Sequence, residues 1–307
     1  MHVVISGGTG LIGGALSRSL LGEGHGVTWL GRDPARARPL PGVEVRRWDA
    51  RSPEGWVDLL EGADAFVNLA GENLAGTGPL PSRWTEERKQ RIRDSRILAG
   101  GAVVDAFRAA RKRPSVLVQA SGVGIYGPLD ETVANEQTPA GSDFLARLAV
   151  DWEASTAPVE ALGVRRAIAR TGVVLTMAGG ALPRLVLPYR LFAGGPLGSG
   201  RQWVPWIHLA DEVAAIRFLI ENAEARGPFN LTAPGAATNA EMGRTLGRIL
   251  GRPSWVPAPA SAVRALLGEG AALVLSGQLA LPSRLLEAGF RFRFPDLETA
   301  LRDLLER

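Results

Sequence analysis

Residues 5–14 read ISGGTGLIGG. They close the β-branched run HVVIS and open LIGGALSRSLLGEG, whose apolar residues recur at helical spacing until Gly24. Two registers of the dinucleotide fingerprint fit: Gly8-x-Gly10-x-x-Gly13 and Gly7-x-x-Gly10-x-x-Gly13. The pattern alone is common. A strand leading in and a helix leading out give it a mechanism. Glycines allow the tight turn and let the backbone approach a pyrophosphate. The helix N-terminus offers free N–H groups and a partial positive charge. The competing reading is a glycine-rich turn without a ligand. The first predicts cofactor contacts at Gly7, Gly8, Thr9, Gly10, Leu11, Ile12 and Gly13.

The stretch GVTWLGR then reads as a second strand, with Arg32 about twenty residues past Gly13. An acid at that place would bind the ribose 2′-hydroxyl of NAD, whereas Arg32 suits the 2′-phosphate of NADP. Asp33 follows directly and keeps both cofactors in play, with capping of the turn before Pro34 as its other role. The pattern favours NADP(H). A later strand ends NLAGEN, residues 68–73, where small side chains let the nicotinamide half lie against the backbone.

Strand-like and helix-like segments alternate through the first half: VEVRRWD, WVDLLEGA, ADAFVNLAG, a helix over 84–111, SVLVQAS, a helix over 143–161, and VRRAIARTGVVL. This order predicts an α/β fold, a doubly wound parallel sheet of the Rossmann type. Past residue 178 the pattern loosens into Gly- and Pro-rich stretches, then returns in WVPWIHLADEVAAIRFLIENA and GPFNLTAP. The expected division is a nucleotide-binding core over 1–178 plus 203–232, and a smaller C-terminal substrate lobe over 179–202 plus 233–307.

Composition narrows the chemistry. The 307 residues contain no cysteine, which removes disulfides, thiolate catalysis and cysteine metal sites. Net charge is +4, and only Lys89 and Lys112 are lysine among 35 basic residues. The densest basic stretch, 83–113, is interrupted by Glu86, Glu87, Asp94 and Asp105, as on a solvated helix face. No nucleic-acid-binding motif accompanies it, so nucleic acid is not expected as a partner. No apolar run is long enough to span a bilayer, and no leader pattern precedes HVVIS. The expected setting is a cytoplasmic protein with a small-molecule substrate and no membrane. No metal-ligand cluster appears, and oligomeric state is not encoded legibly.

The set GGTGLIGG, NLAGEN, Ser95–Arg96, RTGVVL, GGPLGSGRQ and WIHLAD resembles the atypical short-chain dehydrogenase/reductases of the "epimerase family", along the whole chain. The segment GEGAALVLSGQLALPSRLLEAGF, 268–290, is similar to that family's C-terminal lobe. The resemblance implies an extended-type Rossmann core, NADP(H), and cofactor contacts at the glycine loop, Gly31, Arg32, Leu69, Ala70, Arg96 and Val174; the small residues of NLAGEN add Gly71.

Ordinary members of that superfamily carry Tyr-x-x-x-Lys on a helix. The Tyr hydroxyl exchanges a proton with the substrate oxygen, and the Lys one turn on lowers its pKa. Here the tyrosines are Tyr126 and Tyr189, and the residues four positions later are Asp130 and Ala193. The pair is therefore absent. By analogy with the extended enzymes, Leu145 and Ala149 of DFLARLAVDWE occupy the two positions, and the resembling family shares the loss. The catalytic residue is thus unassigned. Ser121, Tyr126, Arg201 and His208 are the candidates for a substrate pocket. Against these stand structural roles: a packed Tyr126, a capping His208 at the start of HLADEVAAIRFL, and a lobe linker around Arg201. Two functions follow. One is an NADP(H)-dependent oxidoreductase or epimerase-like enzyme acting on a small carbonyl or hydroxyl compound. The other is a non-catalytic NADP(H) sensor acting through a protein partner.

Overall fold

In the computed structural model, β1 (His2–Ser6) runs into α1 (Leu11–Gly22), followed by β2 (Gly26–Gly31), β3 (Glu44–Arg47), α2 (Asp58–Glu61), β4 (Ala65–Asn68), α3 (Glu86–Ala109) and β5 (Val116–Gly122). Next come β6 (Val133–Ala134), α4 (Phe144–Ser155), β7 (Arg165–Thr171), β8 (Val173–Leu175), α5 (Leu182–Arg190), β9 (Trp203–Val204), β10 (Trp206–His208), α6 (Leu209–Glu221) and β11 (Gly227–Leu231). The chain ends with β12 (Ala237–Thr238), α7 (Asn239–Leu250), α8 (Ala260–Leu267), α9 (Ala272–Leu275), β13 (Leu279–Ala280), α10 (Ser283–Glu287) and α11 (Leu297–Leu305). The structure describes residues 1–76, 78 and 82–306.

Seven strands form one parallel sheet in the order β11-β7-β5-β4-β1-β2-β3. This is the doubly wound Rossmann arrangement that the alternating pattern predicts. Strand order reverses between β1 and β4, which opens a crevice beyond their carboxyl ends. Val3 and Ile5 face one apolar layer with Leu16 and Ile216, while Val4 faces the other with Phe66 and Phe107. A strand covered on both faces must be apolar throughout, as VVI is. Burying each such side chain stabilises by about 1.5–3 kcal/mol.

The helices follow from their caps and stripes. Thr85 accepts a bond from Arg88 N to start α3, Glu86 and Glu87 sit in its positive first turn, and Ile92, Arg96, Ala99 and Val103 form its buried face. Two elements differ from the sequence expectation. The helix read over 143–161 ends at Ser155, because Pro158 lies at the start of a separate 3₁₀ turn, 157–162. The strand read as VRRAIARTGVVL breaks at Gly172. A Cβ there would lie 2.4 Å from Pro205 O, and β8 leaves the main sheet to pair with β10.

The C-terminal residues pack Leu182, Tyr189, Trp206, Met242 and Leu301 into a cluster of their own. They are also threaded back into the core. β13 pairs with β6, and Asp211 at the start of α6 accepts from Arg293 N at 2.8 Å and Phe294 N at 2.9 Å. Among the described residues no helix is long and apolar enough to cross a membrane.

Candidate functional site

The glycine loop lies at the reversal point of the sheet. Gly10 N bonds Gly7 O at 2.9 Å and closes the turn. Gly7 holds φ +76°, and a Cβ on it would meet the Leu69 carbonyl at 2.9 Å. A Cβ on Gly13 would lie 2.5 Å from Gly7 O. Gly8 is needed for another contact, the Trp29 ring beneath it. Trp29 Nε1 donates to Ser17 Oγ at 2.7 Å, and Ser17 donates to Gly13 O at 2.7 Å, which fixes α1 against β2. Gly10 caps α1 with no side chain, and the first turn carries no acid. The N–H groups at that terminus therefore face the crevice with nothing charged against them, and Thr9 and Gly10 are exposed. Such a terminus fits a pyrophosphate.

Arg32 is exposed at the end of β2, beside Gly31, and Asp33 pairs with Arg36 at 3.2 Å. The acid that competes for the NAD reading is thus engaged by a neighbouring cation. On the opposite flank Leu69, Ala70 and Gly71 extend β4. A Cβ on Gly71 would come within 3.0 Å of the Arg96 guanidinium. Arg96 is buried, stacks 4.7 Å over Trp152 of α4, and donates to Ile92 O and Glu72 O. Burial lowers its pKa to about 10, and Glu72 opposes this only partly. Val174 of β8 pairs with Ile207, and the loop beyond it brings Gly179 and Gly180 against Leu11. Glycine loop, Gly71 flank and Val174 loop therefore border one crevice.

Two sets of buried polar groups cross the sheet. Ser6 donates to Asn68 at 2.6 Å, and Asn68 donates to Gln119 at 2.8 Å, across β1, β4 and β5. Ser121 donates to Glu153 at 2.7 Å. Arg170 grips the same carboxylate through Nε at 2.8 Å and Nη2 at 3.0 Å, and donates to the Tyr126 hydroxyl at 3.1 Å. Burial works to lower the Arg170 pKa, and the Glu153 carboxylate overrides it, so the guanidinium stays charged. Tyr126 in turn donates to Asn230 at 2.7 Å. Burial pushes its phenol up, against the pull of Arg170.

The structure thus joins Ser121 and Tyr126 in one network and keeps His208 and Arg201 out of it. Tyr126 is packed, with both hydroxyl roles engaged. His208 Nδ1 accepts from Ala210 N at 3.0 Å, capping α6, while its ring stacks 4.0 Å from Phe294 and Nε2 lies 3.4 Å from Asp303. Desolvation lowers the His208 pKa. Arg201 is exposed in the loop before β9. Leu145 packs against Gly124 and Ala149 is buried, so α4 is apolar at both positions. No group of three or more metal-binding side chains occurs among the described residues.

Glu153, Arg170, Asn230 and Glu212 are not among the residues picked from sequence. One signal was present. Arg170 follows the apolar run Ala167–Ala169 inside a strand, and a guanidinium in such a place requires a buried acceptor.

A family model described as the NAD dependent epimerase/dehydratase family matches residues 3–232, and a domain of unknown function, DUF1731, matches 258–304. The chain is 39% identical to the Bacillus subtilis epimerase family protein YfhF over 308 aligned residues, covering 99% of this chain and 98% of that one. It is 38% identical to human epimerase family protein SDR39U1, covering 99% and 100%. The solved structure of human SDR39U1 isoform 2 with NADPH superposes with a TM-score of 0.89 at 35% identity, over 100% of both chains. A Thermus thermophilus UDP-glucose 4-epimerase with NAD shares the fold, with a TM-score of 0.75 at 18% identity over 100% of this chain and 98% of that one. With this cradle at its amino end and matches of such length, the chain belongs to the NAD dependent epimerase/dehydratase family.

Proposed function

We propose that this protein is a cytoplasmic NADP(H)-dependent oxidoreductase acting on a small carbonyl or hydroxyl compound, without a tyrosine acid. The observation that carries the reading is the cradle. Gly7 and Gly13 have no room for a Cβ, and both shape an uncapped helix N-terminus. The NADPH-bound human relative supports NADP(H), as does Arg32 with Asp33 drawn to Arg36.

The cofactor supplies hydride exchange at its nicotinamide. The chain's own residues do the rest. The N–H groups at the start of α1 would hold the pyrophosphate, and Arg32 would take the 2′-phosphate. Gly71 leaves space beside β4, while Arg96 sets a fixed positive charge behind that space. Leu145 and Ala149 keep the α4 side dry and contribute no proton. Tyr126 holds its proton on Asn230. The proton for the substrate oxygen would then come from water or from an acid other than these.

The test is anaerobic mixing of the protein and NADPH with a broad panel of aldehydes and ketones. Reduced-nicotinamide absorbance should fall with at least one. Silence across the panel, with NADPH bound, would leave the second reading: an NADP(H) sensor acting through a protein partner. The apolar pair at Leu145 and Ala149 beside an intact cradle favours that alternative. A pull-down whose partners change between NADPH and NADP would support it.

A further inference from the structure

The surface of the C-terminal lobe carries an apolar patch that the cofactor crevice does not use. Trp255 is 73% exposed, Leu191 68% and Phe192 58%, with Leu187 and Val256 beside them. These residues come from two segments fastened together. Trp255 N and Val256 N both bond Gly194 O at 3.0 Å. The Arg252 guanidinium lies 4.4 Å over the Phe192 ring. A Cβ on Gly194 would lie 2.3 Å from the Tyr189 ring, and one on Gly195 2.1 Å from Val256 O, so the segments cannot part without breaking a close fit.

Phe192 holds φ +59°, a conformation that bulky side chains rarely adopt. The strain presents an aromatic ring to solvent instead of burying it. Apart from the Arg252 contact the ring gains little burial for that strain, and strained residues cluster at functional sites.

The two segments that carry the patch hold charge of one sign. No Asp or Glu occurs between Glu160 and Asp211, nor between Glu241 and Glu269. Arg190 and Arg252 border the apolar side chains directly, and Arg264 follows on the exposed face of α8.

We propose that this patch docks on an anionic lipid surface. Trp, Phe and Leu enter the interface, and the arginines meet the headgroups. The charge pattern disfavours a second copy of the chain. A two-fold contact through the patch would bring two arginine-bordered surfaces together, with no acid in either segment to offset them. The absence of a spanning helix is no obstacle, since surface docking needs none.

The experiment is co-sedimentation of the whole protein with vesicles of equal parts phosphatidylglycerol and phosphatidylcholine, and with vesicles of phosphatidylcholine alone. Binding should occur only to the anionic vesicles and weaken in high salt. The variant Phe192→Ser/Trp255→Ser should lower the vesicle partition constant roughly tenfold or more, with its melting temperature and NADPH affinity retained. Three results would overturn the proposal. One is no binding to anionic vesicles at low salt. Another is binding that the double variant leaves unchanged. The third is a dimer by light scattering, or capture of single-stranded DNA, that the same variant abolishes while vesicles fail to bind. If the double variant does not fold, Arg190→Glu/Arg252→Glu replaces it, with the same loss expected and retained binding overturning the proposal.

Discussion

Arg170 on β7 and Glu153 on α4 meet through two parallel hydrogen bonds, 2.8 and 3.0 Å long, both side chains almost closed off from solvent. The pair ties α4, the helix that carries Leu145 and Ala149, to the sheet. Removing one partner strands the other charge in the interior. Glu153→Ala should therefore cost about 3–5 kcal/mol in urea unfolding. Replacing both with apolar residues of similar size should cost less than Glu153→Ala alone.

Gly13→Ala places a methyl group 2.5 Å from Gly7 O, in the turn that shapes the cradle. Calorimetric titration should show NADPH affinity falling by about 100-fold or more, equivalent to about 2.7 kcal/mol. Gly22→Ala, where a Cβ meets nothing within 4 Å, is the matched control and should retain affinity.

Arg32→Ala tests cofactor choice. NADPH affinity should fall about tenfold or more, a loss of one charge-assisted contact, while NADH affinity stays within about twofold. Equal losses for both would show that Arg32 does not face the 2′-phosphate.

Tyr126→Phe separates packing from acid catalysis. The hydroxyl bridges Arg170 and Asn230, so its removal should lower stability by about 1–3 kcal/mol. Turnover on any substrate found should change by less than about threefold, whereas loss of a general acid costs about 100-fold or more.

Glu212 of α6 gives a pH signature. Its side chain is fully buried, Thr171 donates to Oε1 at 2.8 Å, and Oε2 has no hydrogen-bond partner among the described residues. Burial pushes its pKa up to about 8, against an ordinary value of 4.5. The folded protein then keeps a proton that the unfolded chain releases. Its contribution is complete below pH 4.5 and is lost as pH rises toward about 8, with a slope of at most about 1.4 kcal/mol per unit. Glu212→Gln should flatten that slope in chemical denaturation between about pH 5 and about pH 8.5.

The parts of the fold written in local pattern were the legible ones. ISGGTGLIGG specified strand, turn and helix within ten residues, and its crowded glycines are held by contacts within the loop, by Trp29 of β2 or by Leu69 just past β4. Strands such as VVI and AFVN announce burial on both faces. The network around Glu153 was not legible, because its members are 121, 126, 153, 170 and 230, and only tertiary packing brings them together. The break at Gly172 was hidden for the same reason: Pro205 O, thirty-three residues on, forbids a Cβ there. Tyr126 and His208 were legible as residue types, while their bonding depended on Asn230 and Phe294.

Asp211 receives Arg293 and Phe294, Glu136 receives Asn230 N and Arg284 N, and β6 waits for β13. Each of these early partners is incomplete until the last part of the chain has been made. A ribosome releasing this protein from its amino end exposes a cofactor core whose acids are still unsatisfied. The core and the segment matched as a separate unknown domain should therefore unfold in one transition, seen alike by tryptophan fluorescence and circular dichroism. A chain truncated after β11 should be degraded or aggregate instead of surviving as a small nucleotide-binding protein.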